Sequence, residues 1–69
     1  MRRKPLTSSA IASVGYDPKR GTLEVEFRSG NVYRYLNVPE EVYQDLLQAK
    51  SKGRYFGSSI RGQYTSTRD

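Results

Sequence analysis

Thr22-Leu23-Glu24-Val25-Glu26-Phe27-Arg28 sets apolar side chains at 23, 25 and 27 against charged ones at 24, 26 and 28. A period of two belongs to a strand with one wet face and one buried face, so this stretch anchors a half-buried sheet. Downstream, Ser29-Gly30 leads into Val32-Tyr33-Arg34-Tyr35-Leu36, and loop length decides where the two tyrosines point. A two-residue loop sets Tyr33 and Tyr35 opposite Glu26 and Glu24. A three-residue loop, Arg28-Ser29-Gly30, places them on the Leu23, Val25, Phe27 face and turns Arg34 toward the glutamates. The second register is preferred, because Gly30 suits the left-handed position that closes a three-residue hairpin and Arg34 then meets opposite charge across the strands.

Upstream, residues 10–17 alternate well enough for another strand, with Ala12, Val14 and Tyr16 on one face and Ile11, Ser13 and Gly15 on the other. Which of those faces is buried stays open. Pro18-Lys19-Arg20-Gly21 is turn chemistry and joins the two strands antiparallel. Met1 to Thr7, with Arg2-Arg3-Lys4-Pro5 and no apolar periodicity, reads as a mobile basic arm.

After the hairpin, Asn37-Val38-Pro39 leads into a helix from Pro39 to Lys50. Pro is tolerated in a first turn, and Glu40 and Glu41 suit the positive end of the helix dipole. Val42, Leu46 and Ala49, flanked by Tyr43 and Leu47, form its apolar stripe. The helix should fade over residues 50–53, where lysines complement the negative end and Gly53 offers a stop. Phe56 and Ile60, one helical turn apart, suggest a short second helical segment, and residues 65–69 read as a frayed tail. The expected architecture is α+β: a three-stranded antiparallel meander packed against one main helix, with a short C-terminal helical segment. Its domain spans residues 8–64, between an arm at 1–7 and a tail at 65–69.

Composition bounds the chemistry. The chain has 69 residues and lacks Cys and His altogether. Disulfides are excluded, as are Ser-His and Cys-His nucleophile pairs, and the acids show no metal-ligand spacing. So short a chain leaves little room for a deep, dry pocket, so neither a cofactor nor a small-molecule substrate is expected, and no enzyme. There is no signal-peptide pattern and no apolar run near the ~20 residues of a membrane span. The cytoplasm is the expected location.

The net charge of +5 is unevenly distributed. Residues 1–20 carry +4, residues 21–49 carry −3 and residues 50–69 carry +4. Two basic ends that meet in space would present one electropositive surface, the footprint of a polyanion binder; ends held apart would serve mainly solubility. Basic and aromatic residues interleave at Tyr33-Arg34-Tyr35, at Arg54-Tyr55-Phe56, at Arg61 with Tyr64 and at Lys19-Arg20 near Tyr16. Such a pattern suits nucleic acid, rings stacking on bases while guanidinium groups take phosphate. Tyr33 and Tyr35 have a competing structural role, filling the edge of a small core with their hydroxyls wet. Gly53, among Lys50, Lys52 and Arg54, could bend the chain into an anion-binding concavity, against the plainer reading of a helix cap with solvated lysines.

Taken in order, Ser8-Ser9-Ala10-Ile11, Val14-Gly15-Tyr16-Asp17, Leu23-Glu24-Val25-Glu26-Phe27, Gly30, Tyr33-Arg34-Tyr35, Asn37-Val38-Pro39, Leu46-Leu47-Gln48-Ala49, Ser51, Gly53, Tyr55-Phe56 and Ile60-Arg61 resemble the KTSC domain. That family is named for its occurrence at the C-terminus of some lysyl-tRNA synthetases and is also found as small free-standing bacterial proteins. The resemblance implies no catalytic motif and suggests nucleic-acid or RNA binding through the synthetase context; Arg34, Arg54 and Arg61, with the tyrosines, are the landmarks able to carry it.

The resulting expectation is a non-enzymatic module binding RNA or DNA with low sequence specificity, through Arg2, Arg3, Lys4, Arg34, Lys50, Lys52, Arg54, Tyr55, Arg61 and Tyr64. Its rival is a protein-interaction module whose Tyr-rich sheet meets another protein. A homodimer is also expected, because a three-stranded sheet leaves one face and two edges exposed.

Overall fold

The computed structural model of the chain describes residues 3–68. In chain order it forms β1 (Lys4–Pro5), β2 (Ile11–Asp17), β3 (Thr22–Phe27), β4 (Val32–Tyr35), α1 (Glu40–Gln48), α2 (Lys52–Ser59) and β5 (Ser66–Arg68). The strands make one antiparallel sheet in the order β1-β2-β3-β4-β5. Both helices cover the same face of it.

The β3–β4 hairpin takes the three-residue register. Leu23 pairs with Tyr35, Glu24 with Arg34 and Val25 with Tyr33. Phe27 N–H donates to Asn31 O and Gly30 N–H to Phe27 O, each at 2.9 Å. Gly30 has φ +99°, the left-handed conformation that closes such a loop without Cβ strain. The tyrosines therefore lie on the helix-covered face and Arg34 on the open one.

β2 departs from simple alternation. Ile11 pairs with Phe27 but Ser13 with Glu26, so Ala12 is an extra residue in β2. This bulge resets the alternation and brings Ile11 onto the same face as Val14, both fully buried. A strict period of two puts these residues on opposite faces, which is why the sequence left the buried face undecided.

Two further corrections follow. The meander has five strands instead of three, because Lys4–Pro5 and Ser66–Arg68, read from the sequence as parts of an arm and a tail, add a strand at each edge. They carry no apolar alternation and are fully exposed. Backbone bonds from Leu6 N–H to Ala12 O (3.0 Å) and from Leu36 N–H to Thr65 O (2.8 Å) continue their ladders. The edges of β2 and β4, whose exposure motivated a homodimer, are thus paired within the chain.

The helical region also divides differently. α1 stops at Gln48 because Ala49 is extended, with ψ 139°. Ser51 then caps a new helix, its Oγ accepting from Arg54 N–H at 3.3 Å. Gly53 lies in the first turn of α2, so it is no helix stop. Pro39 is the residue before α1, with Glu40 and Glu41 in the first turn.

The core is contributed by Ile11, Val14, Leu23, Val25 and Tyr35 from the sheet and by Val38, Leu46, Phe56 and Ile60 from the helical side. Tyr16 stacks on Tyr43 at 5.2 Å and donates its hydroxyl hydrogen to Val38 O, fixing α1 over β2. Phe56 meets Phe27 and Tyr35 edge-on at 5.2 and 5.4 Å, fixing α2 over β3 and β4.

Candidate nucleic-acid interface

Two groups of the basic residues expected to bind are distinguished by their surroundings. On the open sheet face, Arg34 Nε lies 3.0 Å from Glu24 Oε1 and Arg3 Nε 3.5 Å from Glu24 Oε2. Ser13 Oγ donates to Glu26 Oε1 at 2.9 Å on the same face. Glu24 is only 7% exposed, so these two arginines serve as its cover. Lys4 stands exposed on β1, and Arg2 lies outside the described residues.

The other group lies on and around α2. Residues 50–61 contain Lys50, Lys52, Arg54 and Arg61 and no acid. Lys50, Lys52 and Gly53 meet Thr7, Ser8 and Ser9 around a polar depression of about 220 Å³. The serine segment is held there by Arg28, which donates to Ser8 O and Leu6 O at 3.0 Å, and by Ser8 Oγ, which accepts from the N–H groups of Ala10 and Ile11 at 3.2 Å. Lys52 Nζ donates to Ala49 O at 2.9 Å, closing the α1–α2 turn. Gly53 packs directly beneath: a Cβ there would sit 3.2 Å from Ala10 Cβ.

Gly53 also borders a second, larger recess. Between α2 and the β3–β4 hairpin, a groove of about 500 Å³ is walled by Phe27, Tyr33, Tyr35 and Phe56, with Gly57 and Arg61 along its helical side. Tyr33 contacts Phe27 edge-on at 5.8 Å and Tyr35 at 6.5 Å. Burial raises the Tyr35 hydroxyl pKa above its ordinary value, the nearby Tyr33 adds to this, and Arg61 opposes it. At neutral pH this phenol therefore keeps its proton and is a donor.

Tyr55 and Tyr64 are placed elsewhere. Both pack partly buried against the core. Burial raises the Tyr55 pKa, and so do the charges of Asp45 and Glu41 on α1. That environment repels phosphate. Of the sequence-derived set, Lys50 and Lys52 share the polar depression and Arg61 lines the neighbouring recess, with Arg54 on α2 between them in sequence, whereas Arg3 and Arg34 are at Glu24 on the open face. Thr7, Ser8 and Ser9 complete the polar depression without any sequence signal beyond their hydroxyls. The aromatic groove escaped notice because each of its rings reads alone as core.

The same fold occurs in a KTSC domain protein from Yersinia pestis, whose crystal structure superposes with a TM-score of 0.96 at 43% identity, covering 99% of this chain and 96% of that one. The KTSC domain family matches residues 7–64. The chain belongs to the KTSC domain family. This KTSC chain is also similar to an uncharacterized protein of Stutzerimonas stutzeri, 52% identical over 64 residues that make up 93% of this chain and 90% of that one. A lysine–tRNA ligase of Nostoc punctiforme carries a KTSC segment 45% identical over 56 residues, 81% of this chain but 10% of the ligase. The KTSC domain therefore exists both alone and as a small part of a much larger protein. No helix among its described residues is long and apolar enough to cross a membrane.

Proposed function

We propose that this KTSC domain is a non-enzymatic, cytoplasmic nucleic-acid-binding module of low sequence specificity that grips backbone phosphates with the cationic flank of α2. The observation that carries the reading is the charge at the start of that helix. Lys52 and Arg54 occupy the first turn and no acid accompanies them. Cations there oppose the helix dipole and cost stability, whereas an anion would be favoured. Ser51 takes the Arg54 N–H, while the amides of Lys52 and Gly53 are first-turn groups that α2 itself cannot satisfy. An anion seated in the depression would meet those amides, the hydroxyl-bearing Thr7, Ser8, Ser9 and Ser51, and two lysines.

Internal pairing supports the same reading. The buried acid Glu24 is neutralised by Arg3 and Arg34, whereas Lys50, Arg54 and Arg61 have no acidic partner within ion-pair distance among the described residues. The flank of α2 therefore carries positive charge that no acid within ion-pair distance among the described residues compensates. Relatives that are lysine–tRNA ligases are consistent with an RNA ligand.

Titration of labelled single-stranded RNA and DNA at 50 and 200 mM salt tests the proposal. Four phosphate contacts by a single strand predict a loss of affinity of about 50-fold across that range. Absence of binding at the lower salt concentration would overturn it. An affinity indifferent to salt would favour a protein partner instead.

A further inference from the structure

We propose that the groove between α2 and the β3–β4 hairpin receives one unstacked base of a single strand, with Arg61 on the adjoining phosphate; this rests on the nucleic-acid reading above. Gly57 is the telling residue. A glycine inside a helix weakens it relative to alanine, so its presence asks for a reason. Four residues earlier, Gly53 has one, since its Cβ would press on Ala10. Gly57 has none of that kind, for a Cβ at this position would meet nothing within 4 Å. What its missing side chain does is leave bare helix backbone as one wall of the groove, opposite Tyr33 and Phe27.

The occupant is constrained by shape and charge. A groove of about 500 Å³ is within the range of small-ligand sites and holds a single nucleotide, not a duplex. Aromatic walls favour a flat ring, and base–aromatic stacking tolerates any of the bases. The protonated Tyr35 hydroxyl supplies a donor. Arg61 is exposed at the rim, with no ion pair or side-chain hydrogen bond among the described residues. Gly53 borders both recesses, so the groove adjoins the depression that Lys50 and Lys52 line. A nucleic acid carries a charge at every step and can engage both places; an aromatic amino acid with one carboxylate cannot.

The deciding experiment compares two labelled eight-nucleotide strands at 50 mM salt by fluorescence anisotropy: one intact, one abasic throughout and so equal in phosphate charge. The wild-type chain should bind the intact strand about 5-fold or more tightly than the abasic one. Gly57→Leu, which fills the groove, should reduce binding of the intact strand to the abasic level and leave the abasic affinity unchanged. Equal wild-type affinity for both strands would overturn the base pocket while leaving phosphate binding intact. An unaltered preference in a folded Gly57→Leu would place the bases elsewhere and also overturn it. Failure of both strands to bind would remove the nucleic-acid reading itself, and this inference with it. The strand comparison uses the wild-type chain and so does not depend on a variant folding.

Discussion

Arg34 stands directly opposite Glu24 across the β3–β4 hairpin, its Nε 3.0 Å from a carboxylate oxygen that is largely removed from water. Carboxylates are costly to bury unless paired, so this arginine's first duty is to the sheet. Arg34→Ala should lower stability by about 1 kcal/mol, the exposed guanidinium moderating the loss while Arg3 remains beside Glu24. In a domain of this size that is a fall of about 4–8 °C in Tm. Nucleic-acid affinity in the folded variant should change little, since Arg34 faces away from α2. A stable Arg34→Ala variant that fails to bind would return Arg34 to the interface.

Two glycines should respond to alanine in opposite directions. Gly30 sits at φ +99°, where an L side chain is strained, so Gly30→Ala should cost about 1–2 kcal/mol. Gly57 is helical with open space around it, so Gly57→Ala should add about 0.5–1 kcal/mol. Thermal denaturation of the two variants beside the wild type measures both. A destabilised Gly57→Ala would mean that the helix needs this glycine for its own packing.

The contrast between those glycines marks what could be read from the chain. Gly30 was legible because a turn residue and the opposite charges of Glu24 and Arg34 specify one register together. The extra residue at Ala12 was not, since a bulge is settled by pairing with β3 and leaves no local pattern. β1 and β5 were equally silent: two- and three-residue strands with exposed side chains are held by backbone ladder hydrogen bonds, which need no side-chain pattern. At the candidate site, the basic run of residues 50–54 was visible as charge. The groove was hidden because Phe27, Tyr33, Tyr35 and Phe56 gather from three separate elements, each with a sufficient explanation as core.

Alkaline conditions should expose the phenols that pack in and around the core. Burial raises the pKa values of Tyr16, Tyr35, Tyr43 and Tyr55 above the ordinary 10.0. For Tyr16 the nearby Glu40 and Asp17 act in the same direction, and its hydroxyl also donates to Val38 O. A group that holds its proton more tightly when folded stabilises the fold below its unfolded pKa, and that contribution disappears as pH rises through the folded value. The contribution of these tyrosines is therefore constant from pH 7 to about 9 and lost above about 10. Following phenolate absorbance and circular dichroism together checks this: part of the absorbance should appear only as structure is lost. Ionisation of Tyr16, Tyr35, Tyr43 and Tyr55 near the ordinary value in an intact fold would contradict it.

Arg54 and Arg61 offer the sharpest test of where phosphate is held. Both are exposed around α2, and neither forms an ion pair among the described residues. Their joint removal should cost little stability, surface substitutions of this kind falling within about 0.5 kcal/mol each. If each arginine neutralises one phosphate, the double variant Arg54→Ala with Arg61→Ala retains two of four contacts, and its logarithmic salt slope should halve. The loss of affinity between 50 and 200 mM salt would then shrink from about 50-fold to about 7-fold. Weaker binding alone could follow from many kinds of damage, whereas a halved slope reports specifically on phosphates no longer engaged. A folded double variant with the wild-type slope would place the phosphate contacts on other residues, with exposed Lys4 on β1 the next to substitute.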